Sequence, residues 1–430
     1  MKYGKWRSKR PWILAGAGFL TIGAVLVILR LTTPDLPGQN DPYGLEEYRR
    51  NLMELKAKTV GRLDCTDPFK GNLPGFSLRP WKTNFCKHSA PYEEIGSGGP
   101  DRDGIPPIDD PKWETVGQAD EWLGPRNPVI GLSIANDSRA YPLQILIWHE
   151  IVNDEVGGKT VAVTFCPLCY TALVFERPVV NGNLLTFGTS GNLRESDLVM
   201  WDRQTESWWQ QFTGEAIVGD LTGMRLKPIP AGIISWTDFK QRYPKGKALS
   251  RNTGKEREYE SNPYVMYDRR EEPPAMTEGP RVPQSEPMAR VIGVVIRSQA
   301  KAYGLSALMD RSVINDEIAS TPIVVFWKEG TASATDSRII SEGRELGSTR
   351  IYLRTVGGKP YTFARLANGR FVDEQTRSEW NIFGEAISGP LKGNKLEQVF
   401  HYETFLFAWK AFLPGSPLWG LGAGNPQGSN

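Results

Sequence analysis

Two short apolar runs flank a tight turn in the first half of the chain. Val161-Ala-Val-Thr-Phe165 leads into it and Tyr170-Thr-Ala-Leu-Val-Phe175 leads out. Both are rich in β-branched and aromatic residues, so the pattern predicts strand–turn–strand. Similar runs recur along most of the chain, separated by glycine turns such as Val156-Gly-Gly-Lys159 and Asn181-Gly-Asn183. This spacing predicts a mainly β (α+β) protein of antiparallel sandwich or barrel-like sheets. Among these runs helical spacing is limited to short stretches, near Thr115–Trp122, Trp236–Tyr243 and Thr404–Leu413, apart from the N-terminal region described below.

The pattern also repeats. Val129-Ile-Gly-Leu-Ser-Ile134 recurs as Val291-Ile-Gly-Val-Val-Ile296, and Arg139-Ala-Tyr141 as Lys301-Ala-Tyr303. Val152-Asn-Asp-Glu155 recurs as Ile314-Asn-Asp-Glu317, and Gly214-Glu-Ala-Ile217 as Gly384-Glu-Ala-Ile387. Asp202-Arg-Gln-Thr-Glu-Ser207 with Trp209 matches Asp373-Glu-Gln-Thr-Arg-Ser378 with Trp380. Identities in one constant order predict two tandem β-rich units, residues 129–250 and 291–419. A Pro- and charge-rich linker, 251–290, joins them, and 420–430 form a tail. Residues that both units keep, such as Asn153, Asp154, Asp202 and Glu215, are expected to be structural.

Ahead of the repeats the pattern changes. Five basic residues within 1–10 precede an uncharged apolar run, which with its flanks covers 11–30. As a helix it spans roughly 27 Å at about 1.5 Å per residue, enough for a membrane anchor. The basic tail predicts a cytoplasmic N-terminus and an extracytoplasmic remainder, held single-pass in the cytoplasmic membrane. The bulky residues after the run argue against signal-peptide cleavage. A linker with a short helix is expected over 31–60, and turn-rich, irregular chain over 61–128. The 51 basic and 49 acidic residues leave no electrostatic footprint for nucleic acid.

Chemistry concentrates at the predicted turn, which carries Cys166-Pro167-Leu168-Cys169. The redox motif of thioredoxin-like proteins opens a helix, whereas this pair sits on a β-hairpin, so that fold is not expected. A hairpin tip predicts accessible sulfurs. In the second unit Lys328 stands opposite Cys166 and Arg311 opposite His149, so two thiols and an imidazole disappear together. That joint loss makes Cys166, Cys169 and His149 one candidate site. His149, with Arg194 and Arg203 in support, is a candidate to lower a thiol pKa. Asp197 has no counterpart and is a further supporting candidate. Cys65 and Cys86 lie in a Pro/Gly/Asn-rich stretch and are expected to form a local disulfide in an exported chain.

The chain resembles a bacterial and archaeal family catalogued as domain of unknown function 3179, from about Lys87 to Trp419. The resemblance rests on Gly98-Gly-Pro-Asp-Arg-Asp-Gly-Ile-Pro106, Ala140-Tyr-Pro-Leu143, Trp148-His-Glu-Ile-Val-Asn-Asp154 and Val161-Ala-Val-Thr-Phe-Cys-Pro-Leu-Cys169. Phe187-Gly-Thr-Ser-Gly191 and Ser196-Asp-Leu-Val-Met-Trp-Asp-Arg-Gln-Thr205 extend it. It implies no established activity. Selenocysteine in the motif of some members implies redox chemistry there.

Three functions fit these residues. The leading one is a thiol redox centre, a possible thiol oxidoreductase needing no cofactor, acting on a redox partner or small-molecule substrate. The second is a soft-metal site in which Cys166, Cys169 and His149 hold copper or zinc. The third is a non-catalytic envelope binding module in which the pair is a structural disulfide. A serine hydrolase and a phosphate loop are excluded for want of their motifs.

Overall fold

The computed structural model describes residues 81–274 and 286–421. The expected tail, anchor, first linker and Cys65, hence the Cys65–Cys86 disulfide, lie outside the described residues. Among the described residues no helix is long and apolar enough to cross a membrane.

The protein is mainly β, built from several small, mostly antiparallel sheets. Pro128–Ile134 pairs with Asp137–Pro142 across a turn whose two residues, Ala135 and Asn136, both have positive φ. Such turns twist as the strands do, which closes the hairpin in two residues. A short α-helix of about two turns, Leu143–His149, then leads to Ile151–Val156. That strand pairs with Lys159–Cys166, which pairs with Thr171–Glu176, and Lys227–Ile229 closes the far edge. Residues 161–166 are buried on both faces, which is why this strand reads as a continuous apolar run rather than an alternation. Behind this sheet, Phe187–Arg194, Asp197–Asp202, Trp208–Gln210 and Glu215–Val218 form a meander, edged by Ile95–Ser97.

From Arg290 a second series of elements runs in the same order. Arg290–Ile296 and Gln299–Gly304 form a hairpin, Leu305–Arg311 is helical, and Val313–Ile318, Thr321–Lys328 and Ser348–Leu353 form a sheet. Several local bonds match. Asp154 accepts from Arg139 and Tyr141, as Asp316 accepts from Lys301 and Tyr303. Asn153 exchanges two bonds with the Phe187 backbone, as Asn315 does with Phe363. Asp202 caps the turn at Thr205 and receives the Trp209 indole, as Asp373 does for Thr376 and Trp380.

The two series pack together closely. Phe212 stacks on Tyr402 and Phe412, with ring centroids 4.8 and 4.5 Å apart. At the Cys166–Cys169 turn, the Cys169 carbonyl accepts from Phe405 N–H at 3.0 Å and the Thr404 hydroxyl at 2.8 Å. Tyr170 Oη accepts the Ala334 N–H at 3.1 Å. The hairpin tip is therefore buried in the seam between the two series.

Candidate functional site

Cys166 ends its strand opposite Thr171, and Pro167-Leu168-Cys169-Tyr170 makes the turn. Tyr170 has φ of 57°. A bulky residue rarely adopts that conformation, which costs about 1–3 kcal/mol and is held only where surrounding contacts over-determine it. Here the contacts are the Ala334 bond and the Arg290 guanidinium stacked on the ring at 3.5 Å. The neighbouring hairpin turns through Glu195 and Ser196, both at positive φ, and delivers Asp197 to the thiols.

Cys169 Sγ donates to Asp197 Oδ1 at 2.9 Å and lies 2.7 Å from Thr171 Oγ1. Asp197 Oδ2 accepts from Gln210 Nε2 at 2.6 Å and from Phe212 N–H at 2.8 Å, which fixes the carboxylate plane. Cys166 Sγ points toward the Ser196 carbonyl at 3.8 Å. The two sulfurs and an Asp197 oxygen lie within 4.8 Å of one another, all three residues buried.

The expected accessible tip is not found: Cys166 is 1% exposed and Cys169 is fully buried. The reason is tertiary. Besides Thr404 and Phe405, Tyr267 covers the tip, its Oη donating to the Leu168 carbonyl at 2.8 Å. Tyr264 and Tyr267 both sense charge at Cys166, and Tyr264 also senses Glu150.

The electrostatics of the pocket are one-sided. Burial raises the Asp197 carboxyl to about 6, partly offset by its hydrogen bonds from Cys169, Phe212 and Gln210. Burial, then Asp197, raises Glu150 to about 8. Burial also pushes the Cys166 thiol up, with Asp197 and Glu150 adding to it, and pushes Cys169 up further. No described Lys, Arg or His hydrogen-bonds to either sulfur. Burial and the charge of Asp197 thus favour the protonated forms of Glu150, Cys166 and Cys169.

The other sequence candidates go elsewhere. His149 ends its helix fully buried, with Nδ1 2.6 Å from the Pro106 carbonyl and Nε2 2.7 Å from Tyr259 Oη. A carbonyl only accepts, so Nδ1 carries the proton and Nε2 accepts from the tyrosine. Burial lowers His149 to about 4, which leaves it neutral at pH 7. Its two nitrogens are committed, and it is not in the thiol–carboxylate group. Arg194 pairs with Glu94 and reaches Asp197 only through Gln210. Arg203 pairs with Asp103 and Asp109 and bonds the Phe187 carbonyl.

Glu150 and Gln210 escape the sequence reading as site residues. Glu150 carried a signal: the offset that sets His149 against Arg311 sets Glu150 against Ser312. Both residues cap their helices at positive φ, so the backbone position is kept while the carboxyl is not. Gln210 carried none, because its link to Asp197 depends on how two strands pair.

A family model described as Protein of unknown function (DUF3179) matches residues 102–416. No curated protein and no solved structure matches the chain.

Proposed function

Because the chain belongs to DUF3179, a family without an assigned activity, we propose its function from the chemistry of the site alone: a buried soft-metal centre held by Cys166, Cys169 and Asp197. One observation carries the reading. Two thiols and a carboxyl converge within 4.8 Å in a dry pocket with no cationic side chain bonded to the sulfurs. Burial and the Asp197 charge raise both thiols, and a divalent cation reverses that penalty by displacing the thiol protons. Two thiolates with a carboxylate oxygen suit zinc better than copper, which favours all-soft or imidazole donors. Asp197 therefore takes the place that the sequence assigns to His149.

The test is metal content of the full-length chain after loading with zinc. About one equivalent, lost in Cys166→Ser and Asp197→Asn, supports the reading. A chain that takes up no zinc with both thiols reduced overturns it.

A second reading has its own support, the Cys169–Asp197 hydrogen bond. In a dithiol–disulfide exchange with a disulfide substrate, the protein's two S–H bonds and the substrate's S–S bond break, an S–S bond forms between Cys166 and Cys169, and the two protons leave on the two released substrate thiols. Asp197, near 6, is suited to take the Cys169 proton and pass it to a departing thiolate. A metal-free protein whose pair cycles reversibly distinguishes this reading from the first.

The matching element order and bonds further support reading the chain as two copies of one unit, the second without the site. The basic tail and apolar run support a membrane-anchored protein with this site outside the cytoplasm.

A further inference from the structure

A cavity of about 300 Å³ lies in the second series, and none of Cys166, Cys169 and Asp197 lines it. Residues 286–290, the helix Leu305–Arg311 and residues 344–346 form its walls, completed by Leu421. The apolar lining comes from Met288, Leu305, Met309, Leu346 and Leu421. Met288, Leu305 and Leu346 are buried, whereas Met309 and Glu286 are exposed and mark the mouth. The volume stands at the lower end of small-molecule sites, whose usual chemistry is an apolar wall with a few convergent polar groups.

Two guanidiniums supply the polar part. Arg290 is 7% exposed, donates to Asp268 Oδ1 at 2.6 Å, and lies against the rings of Tyr170 and Phe405 at 3.5 and 4.4 Å, which fixes this wall. Its Nε is buried with no acceptor among the described residues, so the wall is one acceptor short. Arg344 Nε donates to Asp268 Oδ2 at 3.0 Å, and no described group accepts from its two amino nitrogens. Its side chain is 38% exposed, which leaves those nitrogens open to a ligand. Asp268 offsets one of the two charges: burial opposes its ionisation, yet Arg290 and Arg344 hold its carboxyl below the ordinary range. The lining carboxylate of Glu345 is committed elsewhere. Its Oε1 accepts from the Gly330, Thr331 and Gly347 N–H groups and its Oε2 from Arg126. Glu286 is exposed at the rim, where water and salt screen it. The enclosed part therefore keeps one guanidinium charge in excess beside an apolar wall.

We propose that this cavity binds a small monoanionic amphiphile, a carboxylate on a short apolar chain, with its head on Arg344 and its chain against Met288, Leu305 and Leu346. A guanidinium fork matches the two oxygens of a carboxylate, which the free amino nitrogens of Arg344 can meet together. One excess positive charge, with Glu286 at the rim, favours a monoanion over a dianion. The volume restricts the apolar part to a short chain. The cavity shares no residue with the thiol–carboxylate centre, so the inference stands apart from both readings of that centre.

The experiment titrates the full-length chain with butanoate, hexanoate and octanoate by calorimetry, with octanol and inorganic phosphate as comparison probes. The expected result is saturable binding of one equivalent that tightens about fourfold per added methylene until the cavity fills. Octanol should bind more weakly than octanoate. Arg344→Gln should weaken octanoate about tenfold or more and leave octanol unchanged. Met309→Glu, at an exposed position of the mouth, keeps the test open if Arg344→Gln does not fold. Its added carboxylate should weaken octanoate more than octanol. Absence of saturable octanoate binding overturns the proposal. Octanol binding as tight as octanoate, or octanoate binding untouched by both substitutions, shows apolar partitioning and overturns it as well. Phosphate binding as tight as octanoate, with no dependence on chain length, reduces the site to a charge and overturns the amphiphile.

Discussion

Cys169 Sγ lies 2.9 Å from Asp197 Oδ1, although the two residues stand at the turns of different hairpins, 28 positions apart. The carboxylate is clamped from its other side by Gln210 and Phe212. The acid is therefore presented to the thiols by a rigid strand pairing rather than by a flexible loop.

Asp197→Asn removes the charge that helps hold both thiols protonated. The expected outcome is a lower pKa at Cys166 and Cys169, with zinc uptake lost. The pH dependence of labelling by a small thiol reagent checks the first part, and metal analysis the second. An unchanged labelling profile contradicts the electrostatic argument.

His149→Ala separates structure from chemistry. It strips buried bonds from the Pro106 carbonyl and Tyr259 Oη, at a cost of about 2–4 kcal/mol. Zinc stoichiometry should survive. Urea unfolding and metal content on one preparation decide it: lost zinc at undiminished stability would return the imidazole to the metal.

The raised carboxyls set the sign of the metal-free protein's pH dependence. Folded Asp197 and Glu150 titrate near 6 and 8, above their unfolded values near 4. Their protonated forms are favoured in the fold, so the stability they permit is full below about pH 4 and is lost as pH rises toward 8. Thermal unfolding across this range should show a Glu150→Gln variant losing less stability than wild type on the alkaline side. Saturating zinc should flatten the wild-type decline.

Tyr267→Ala opens the cover over the Leu168 carbonyl and the hairpin tip. Thiol labelling of the metal-free protein should accelerate by about tenfold or more, the equivalent of about 1.4 kcal/mol of local opening. Tyr267→Phe, which keeps the ring, should accelerate it less. Equal rates in all three proteins would mean that this segment does not control access.

Matching anchors in the two series should differ in weight. The Arg139–Asp154 pair is nearly buried, whereas Lys301 and Asp316 are about a fifth to a quarter exposed. Arg139→Ala should cost about 3–5 kcal/mol by stranding a buried carboxylate, and Lys301→Ala clearly less. Chemical denaturation of the two variants measures the difference.

Local physics makes much of this architecture legible in the chain. β-branched runs broken by glycine turns encode hairpins, and the helices near Trp236 and Leu406 follow from spacing followed by proline. Cys-Pro-Leu-Cys on a hairpin is legible because both sulfurs come from one turn. The association of His149 with those thiols rests on their joint loss between the two matching stretches of sequence. Loss in common is a correlation along the chain, and the imidazole's distance from the sulfurs is not contained in it.

By itself the sequence determined the β-rich class, the strand–turn–strand carrying the thiol pair and the recurrence of Asp154 and Asp202 with their partners in Asp316 and Asp373. All of these depend on neighbours within a few residues or on identities at constant spacing. Tertiary structure alone decided that Asp197 meets Cys169, that His149 turns to Pro106 and Tyr259, and that Tyr267 and Phe405 bury the tip. The physical reason is that these contacts join segments whose spacing in the chain sets no distance. Only the packing of one hairpin against another, and of the second series against the first, brings those acids into one dry pocket.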